Sequence, residues 1–157
     1  MEEQSVIHST FVIERSYPAA PDRVFAAFSD PAAKRRWFVE SDHHEVEYFE
    51  MNFQVGGREL GRFRFTGNSP VAGLECINDA GYLDIVLNRR VVMAYSMTIG
   101  GKCISASLVT FEFLRSKAGT DLICTHQGAF FEGADGPKMR EEGWRKLLER
   151  LAGELGR

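Results

Sequence analysis

Residues 135–156, DGPKMREEGWRKLLERLAGELG, decide how this 157-residue chain is read. Asp135 or Gly136 is placed to cap a helix, and Pro137 suits its first position, where no amide donor is needed. Met139, Gly143, Leu147, Leu151 and Leu155 recur every fourth residue, and Trp144 and Leu148 widen the stripe, so the spacing predicts one long amphipathic helix from about Pro137 to Leu155. A glycine inside a helix costs about 1 kcal/mol relative to alanine. Some benefit of close approach or open space therefore offsets the cost of Gly143. Because most of the chain before this helix reads as strands, the helix must lie against a sheet, and a sheet curled around a helix leaves room for a ligand.

Composition narrows the class. Hydrophobic residues make up 44% and charged residues 26%, the balance of an ordinary globule, and the length suits one domain spanning residues 1–157. No apolar run approaches the ~20 residues that cross a bilayer, so no membrane partner is expected. The N-terminal MEEQSVIHSTF is acidic and lacks the basic-then-apolar layout of a secretory signal. A net charge of −3 argues against a nucleic-acid partner. Cys76, Cys103 and Cys124 are odd in number and never paired as C-x-x-C, which fits reduced thiols and a cytoplasmic location. Nothing in these features opposes a homodimer.

Working back from the helix, β-branched and aromatic residues in VIHSTFVIERSY (6–17) predict a strand ending at Pro18. PDRVFAAFSD (21–30) and PAAKRRWF (31–38) predict two short helices, the first with Val24, Phe25 and Phe28 on one face. EVEYFEM (45–51) and RELGRFRFT (58–66) read as strands around a turn at Gly56-Gly57. In the second, Phe63 and Phe65 share one face, and Arg62 and Arg64 share the other. GLECIN (73–78) and YLDIVL (82–87) are parted by a bend or bulge at Asp79–Gly81. VVMAYSMTI (91–99) and KCISASLVTFEFL (102–114) form a hairpin through Gly100-Gly101, and TDLICTHQGAFF (120–131) is the last strand. With no crossover helices between them, the strands are expected to be antiparallel.

ERSYPAAPDRVFAAFSDPAAKRRWF (14–38), GGRELGRFRF (56–65), LVTFEFLRSKAGTDLICTHQGAFFEG (108–133) and EEGWRKLLERLAGEL (141–155), taken together, resemble the START/SRPBCC superfamily, in the branch named after an activator of the heat-shock-protein ATPase. The resemblance runs from about Val12 to Leu155. It implies an α+β helix-grip fold: a curved antiparallel sheet of about six to seven strands around a long C-terminal helix, with two short helices after the first strand. It also implies an apolar cavity that binds small hydrophobic molecules. Many family members carry a histidine one turn before the Gly-Trp pair, where this chain has Arg140, so no role tied to that histidine is carried over.

Among the polar residues, His126 stands out. Alternation puts it on one strand face with Leu122 and Cys124, where a neutral imidazole can donate to a ligand carbonyl or accept from a hydroxyl. Trp37 and Trp144 offer large apolar walls with one donor each, and Met93, Tyr95 and Met97 share a face beside them. Trp37, Phe63, Phe65, Met93, Tyr95, Phe111, His126 and Trp144 are the expected ligand-binding residues. No metal or other cofactor is expected: the adjacent His43 and His44 point to opposite sides of an extended chain, and no zinc-type spacing accompanies them. Glu45, Glu47 and Glu50 read as a solvated strand face. GGRELG precedes a strand rather than a helix, so it is a turn and not a phosphate loop. Ser105 and Ser107 lack a G-x-S-x-G setting.

The leading expectation is non-enzymatic binding of a small hydrophobic or amphipathic molecule between sheet and helix. The alternatives are a cyclase- or hydrolase-type enzyme built around His126, the one evident acid-base candidate, and a co-chaperone-like regulator of a heat-shock ATPase. A chaperone partner is not expected, because that role in the named activator depends on an additional N-terminal domain absent from these 157 residues.

Overall fold

A computed structural model describes residues 5–157, so the acidic N-terminal start lies partly outside the described residues. Strand β1 (Ile7–Tyr17) is followed by helix α1 (Pro21–Ser29), helix α2 (Pro31–Lys34) and a single π-helical turn (Arg35–Val39). Six strands come next: β2 (His44–Met51), β3 (Arg58–Phe65), β4 (Glu75–Val86), β5 (Arg90–Ile99), β6 (Lys102–Ser116) and β7 (Gly119–Phe130). Helix α3 (Pro137–Leu155) closes the chain. The strands form one antiparallel sheet in the order β1-β7-β6-β5-β4-β3-β2, so the first strand returns to pair with the last.

Local chemistry explains most boundaries. Pro21 and Pro31 open α1 and α2 where no amide donor is required, and the Asp30 carboxylate accepts from the Ala32 amide. Gly136 precedes α3 with φ 90°, a conformation that favours glycine, and no side chain caps the helix. Of the two expected caps, Gly136 takes the N-cap position, while the Asp135 carboxylate accepts a two-point hydrogen bond from Arg140. β4 also departs from expectation. It runs unbroken through Asp79–Gly81, and its bulge falls between Tyr82 and Asp84.

The core occupies one half of the concave sheet face. Phe11, Ile13, Phe111, Phe113 and Leu122 from β1, β6 and β7 pack against Val24, Phe25 and Phe28 of α1, Trp37 of the π turn, and Leu148 and Leu151 of α3. Each large side chain so buried contributes roughly 1.5–3 kcal/mol of transfer free energy. Two buried hydrogen bonds fix the layers: the Tyr17 hydroxyl donates to the Leu148 carbonyl at 2.8 Å, and the Trp37 indole donates to the Ala27 carbonyl at 2.8 Å. The packing row of α3 is Arg140, Trp144, Leu148 and Leu151, with Glu154 below. The four-spaced row expected from sequence is displaced by one position at its start, since Met139 is 62% exposed and Gly143 is exposed.

Candidate functional site

Away from the packed half, α3 stands clear of the sheet, and a chamber of about 670 Å³ lies between them. Its sheet wall is built by alternation: Glu59, Phe63 and Phe65 from β3, Cys76, Asn78 and Ala80 from β4, and Met93, Tyr95, Met97 and Ile99 from β5. The β4 side chains are small, and Gly61 on β3 faces Asn78, so this half of the sheet lacks the volume to meet the helix. Met139, Gly143, Trp144 and Leu147 form the helix wall, Phe38, Val39 and His44 close one end, and residues 69–71 and 133–135 form the rim.

Five of the eight residues expected at the site line this chamber: Phe63, Phe65, Met93, Tyr95 and Trp144. Three do not. Trp37 is buried beneath Phe38 and Phe28, with its indole committed to Ala27. Phe111 packs behind Trp144 and against Phe28. His126, fully buried, stacks on Phe11 at 4.6 Å and sits behind Tyr95. Strand alternation put Phe111 and His126 on the concave face, while Trp37 sits on the π turn. Depth along that face depends on which part of the sheet the helix covers, and alternation carries no such information.

A polar network explains His126. The Arg140 guanidinium, 5% exposed, donates to both Asp135 carboxylate oxygens at 2.8 Å, to the Ser105 hydroxyl at 2.9 Å and to the Tyr95 hydroxyl at 2.9 Å. The Trp144 indole also donates to the Tyr95 hydroxyl, at 3.3 Å. Arginine and indole nitrogens only donate, so the single Tyr95 proton is directed to His126 Nε2, 2.8 Å away. The imidazole therefore carries its proton on Nδ1, which is buried without a hydrogen-bond partner. Burial first, and the Arg140 charge second, push this histidine down to about 4, so it is neutral at physiological pH. Arg140 thus positions Tyr95, and Tyr95 presents its ring to the chamber.

A second polar group was missed in the sequence. Glu59, 4% exposed, lines the chamber and accepts from the Lys34 ammonium at 2.8 Å and the Tyr82 hydroxyl at 2.6 Å. Burial, reinforced by the Glu59 charge, holds the Tyr82 phenol far above its ordinary value. Lys34, 2% exposed, also lies 4.5 Å from the centre of the Phe38 ring. The signal for Glu59 was present: period two in RELGRFRF places it on the same face as Phe63 and Phe65. Lys34 gave no such sign, since a lysine on a short helix is ordinarily solvated.

Two further groups bear on chemistry. Cys76 lines the chamber, but burial pushes its thiol up to about 12, leaving no thiolate nucleophile at neutral pH. The half-buried His44 packs against Phe63 in a tilted arrangement, with ring centres 4.2 Å apart, and donates through Nε2 to the Val39 carbonyl. Among the described residues, no group of three or more His, Cys, Asp or Glu side chains is arranged to hold a metal ion.

Seven antiparallel strands curved around a C-terminal helix, with a chamber on the concave side, define the α+β helix-grip class. Residues 18–156 match the family described as Activator of Hsp90 ATPase homolog 1-like protein, and the chain belongs to that family, within the START/SRPBCC superfamily. It is similar to the Mll3558 protein of Rhizobium loti, with 52% identity, 96% of this chain and 99% of that chain covered, and a TM-score of 0.84. It is also similar to a putative uncharacterized protein of Rhizobium leguminosarum, with 36% identity, 97% of each chain covered and a TM-score of 0.87. An AHSA1-like protein of Aeromonas hydrophila, at 17% identity with 94% of this chain and 92% of that chain covered, shares the fold with a TM-score of 0.68. No curated protein matches the chain.

Proposed function

We propose that the chain, acting as a single domain, is a non-enzymatic binding module that encloses a small hydrophobic or amphipathic molecule between its sheet and α3. The observation that carries this reading is the 670 Å³ chamber with mainly apolar walls, beside a core that is otherwise well packed. Its size is within the range of small-molecule sites, and binding would arise from removing ligand surface from water at ~25 cal/mol per Å². Phe63, Phe65, Met93, Tyr95 and Trp144 would contact the ligand directly, while His126 would act through Tyr95. The cyclase- or hydrolase-type alternative loses support, because its acid-base candidate is screened from the chamber by Tyr95 and is already bonded to it. Regulation of a heat-shock ATPase has the family description as its only support. No described helix is long and apolar enough to cross a membrane.

Native mass spectrometry of the purified protein, before and after denaturing extraction, tests the proposal. The expected result is a non-covalent small molecule released on unfolding, or uptake of an added apolar fluorophore that Trp144→Ala weakens. A protein that neither retains nor takes up such molecules would overturn it.

A further inference from the structure

Both hydrogen bonds that Glu59 accepts land on the same oxygen, Oε1. Oε2 has no protein donor among the described residues, although the side chain is almost wholly buried and belongs to the chamber wall. Oε2 is not fully enclosed, so it opens on the chamber as an acceptor that no protein donor uses and a ligand donor can reach. Asn78 is a near neighbour on this face: Glu59 pairs with Ala80 and Gly61 pairs with Asn78, which places Asn78 diagonally across from Glu59. Asn78 also lines the chamber, and its Oδ1 is buried without a partner. Gly61 supplies no side chain between them.

Charge decides which donor fits. Lys34 already neutralises Glu59, and Asp135 already neutralises Arg140, which lines the same chamber and bonds the Tyr95 hydroxyl, two strands over from Glu59. A ligand ammonium would bring a net positive charge beside Lys34, and a ligand carboxylate would face Glu59. A neutral hydroxyl can donate its one proton to Oε2 and accept from the Asn78 amide nitrogen, and it leaves both ion pairs intact. The remaining walls, Phe63, Phe65, Met93, Met97 and Trp144, are aromatic or thioether surfaces suited to a flat apolar body.

We infer that the chamber takes neutral, hydroxyl-bearing apolar molecules, phenols or alcohols, with the hydroxyl seated on Glu59 Oε2 beside Asn78. This rests on the binding-module reading and assigns that site its polar contact and ligand class.

The test compares two probes of nearly equal shape, 4-phenylphenol and 4-methylbiphenyl, titrated calorimetrically into the full chain. A chamber that reads apolar surface alone favours the methyl compound, because it removes more apolar area from water. With a hydroxyl seated on a charged oxygen, 4-phenylphenol should bind about tenfold more tightly. Replacing Lys34→Met, Glu59→Leu and Tyr82→Phe together removes the whole polar cluster without leaving a buried charge, and this variant should bind 4-methylbiphenyl at least as well while losing the preference. Asn78→Leu, which keeps the ion pair, should reduce the preference in part. If both probes bind and the methyl compound is equal or tighter, the hydroxyl site is refuted while the chamber stands. If neither probe binds, the binding reading itself fails, and this inference fails with it.

Discussion

His126 accepts a hydrogen bond from the Tyr95 hydroxyl and lies behind Tyr95 rather than on the chamber wall, the place expected for it, although alternation brings it to the concave face. Its depressed pKa has a consequence for stability. Between its ordinary 6.5 and about 4, the unfolded chain takes up a proton that the folded chain refuses, so stability is lost as pH falls through that interval. The loss should approach about 3 kcal/mol from this residue. Urea unfolding at a series of pH values should show that slope, and His126→Gln, which keeps an acceptor for Tyr95 without titrating, should flatten it by that share. An unchanged slope would mean that the imidazole is already solvated. Gly143 is the other instructive residue. A Cβ built there meets nothing within 4 Å, so close approach is not its purpose; it faces the open side of the chamber. Gly143→Ala is therefore expected to stabilise the protein by about 1 kcal/mol with ligand uptake unchanged, and Gly143→Phe to obstruct uptake.

At the scale of elements, α2 and the π turn link the short helices to the sheet. Lys34 reaches from α2 to Glu59 of β3, and Arg36 from the π turn holds Glu154 near the C-terminal end of α3. The Arg36 hydrogen bond keeps the Glu154 carboxyl below its ordinary range. Arg36 is 38% exposed, so solvent screening makes this link a modest contributor. The Lys34–Glu59 pair is different, being closed to solvent at both ends. Lys34→Met alone leaves Glu59 buried and unpaired and should cost about 3–5 kcal/mol in urea unfolding, while adding Glu59→Leu and Tyr82→Phe should recover most of it. If the single and triple variants were equally destabilised, the damage would lie in packing rather than in the stranded charge.

For the whole molecule, the proposed binding would couple occupancy of the chamber to stability. A ligand bound only by the folded state raises stability by RT ln(1 + [L]/Kd), about 2.7 kcal/mol at a hundredfold excess over Kd. Thermal unfolding with 4-phenylphenol should therefore shift upward with ligand concentration, and Trp144→Ala should blunt the shift by removing one wall. A concentration-independent melting temperature would argue against specific occupancy.

The element order, the antiparallel pairing and the extent of α3 were legible in the chain, because each rests on local periodicity, proline placement and glycine turns that act over a few residues. The family was legible for the same reason, since its motifs are these local signals in a fixed order. The sheet wall was partly legible: period two put Phe63, Phe65, Met93 and Tyr95 on the concave face. The boundary between packed core and open chamber required the tertiary structure. It depends on the course of α3 over β1, β6 and β7 and on the small side chains of β4, relations between residues far apart in sequence. The same holds for the partners of buried charges. Lys34 and Glu59, or Arg140 and Tyr95, are ordinary polar residues until folding brings them together away from water, where each must be satisfied by the other.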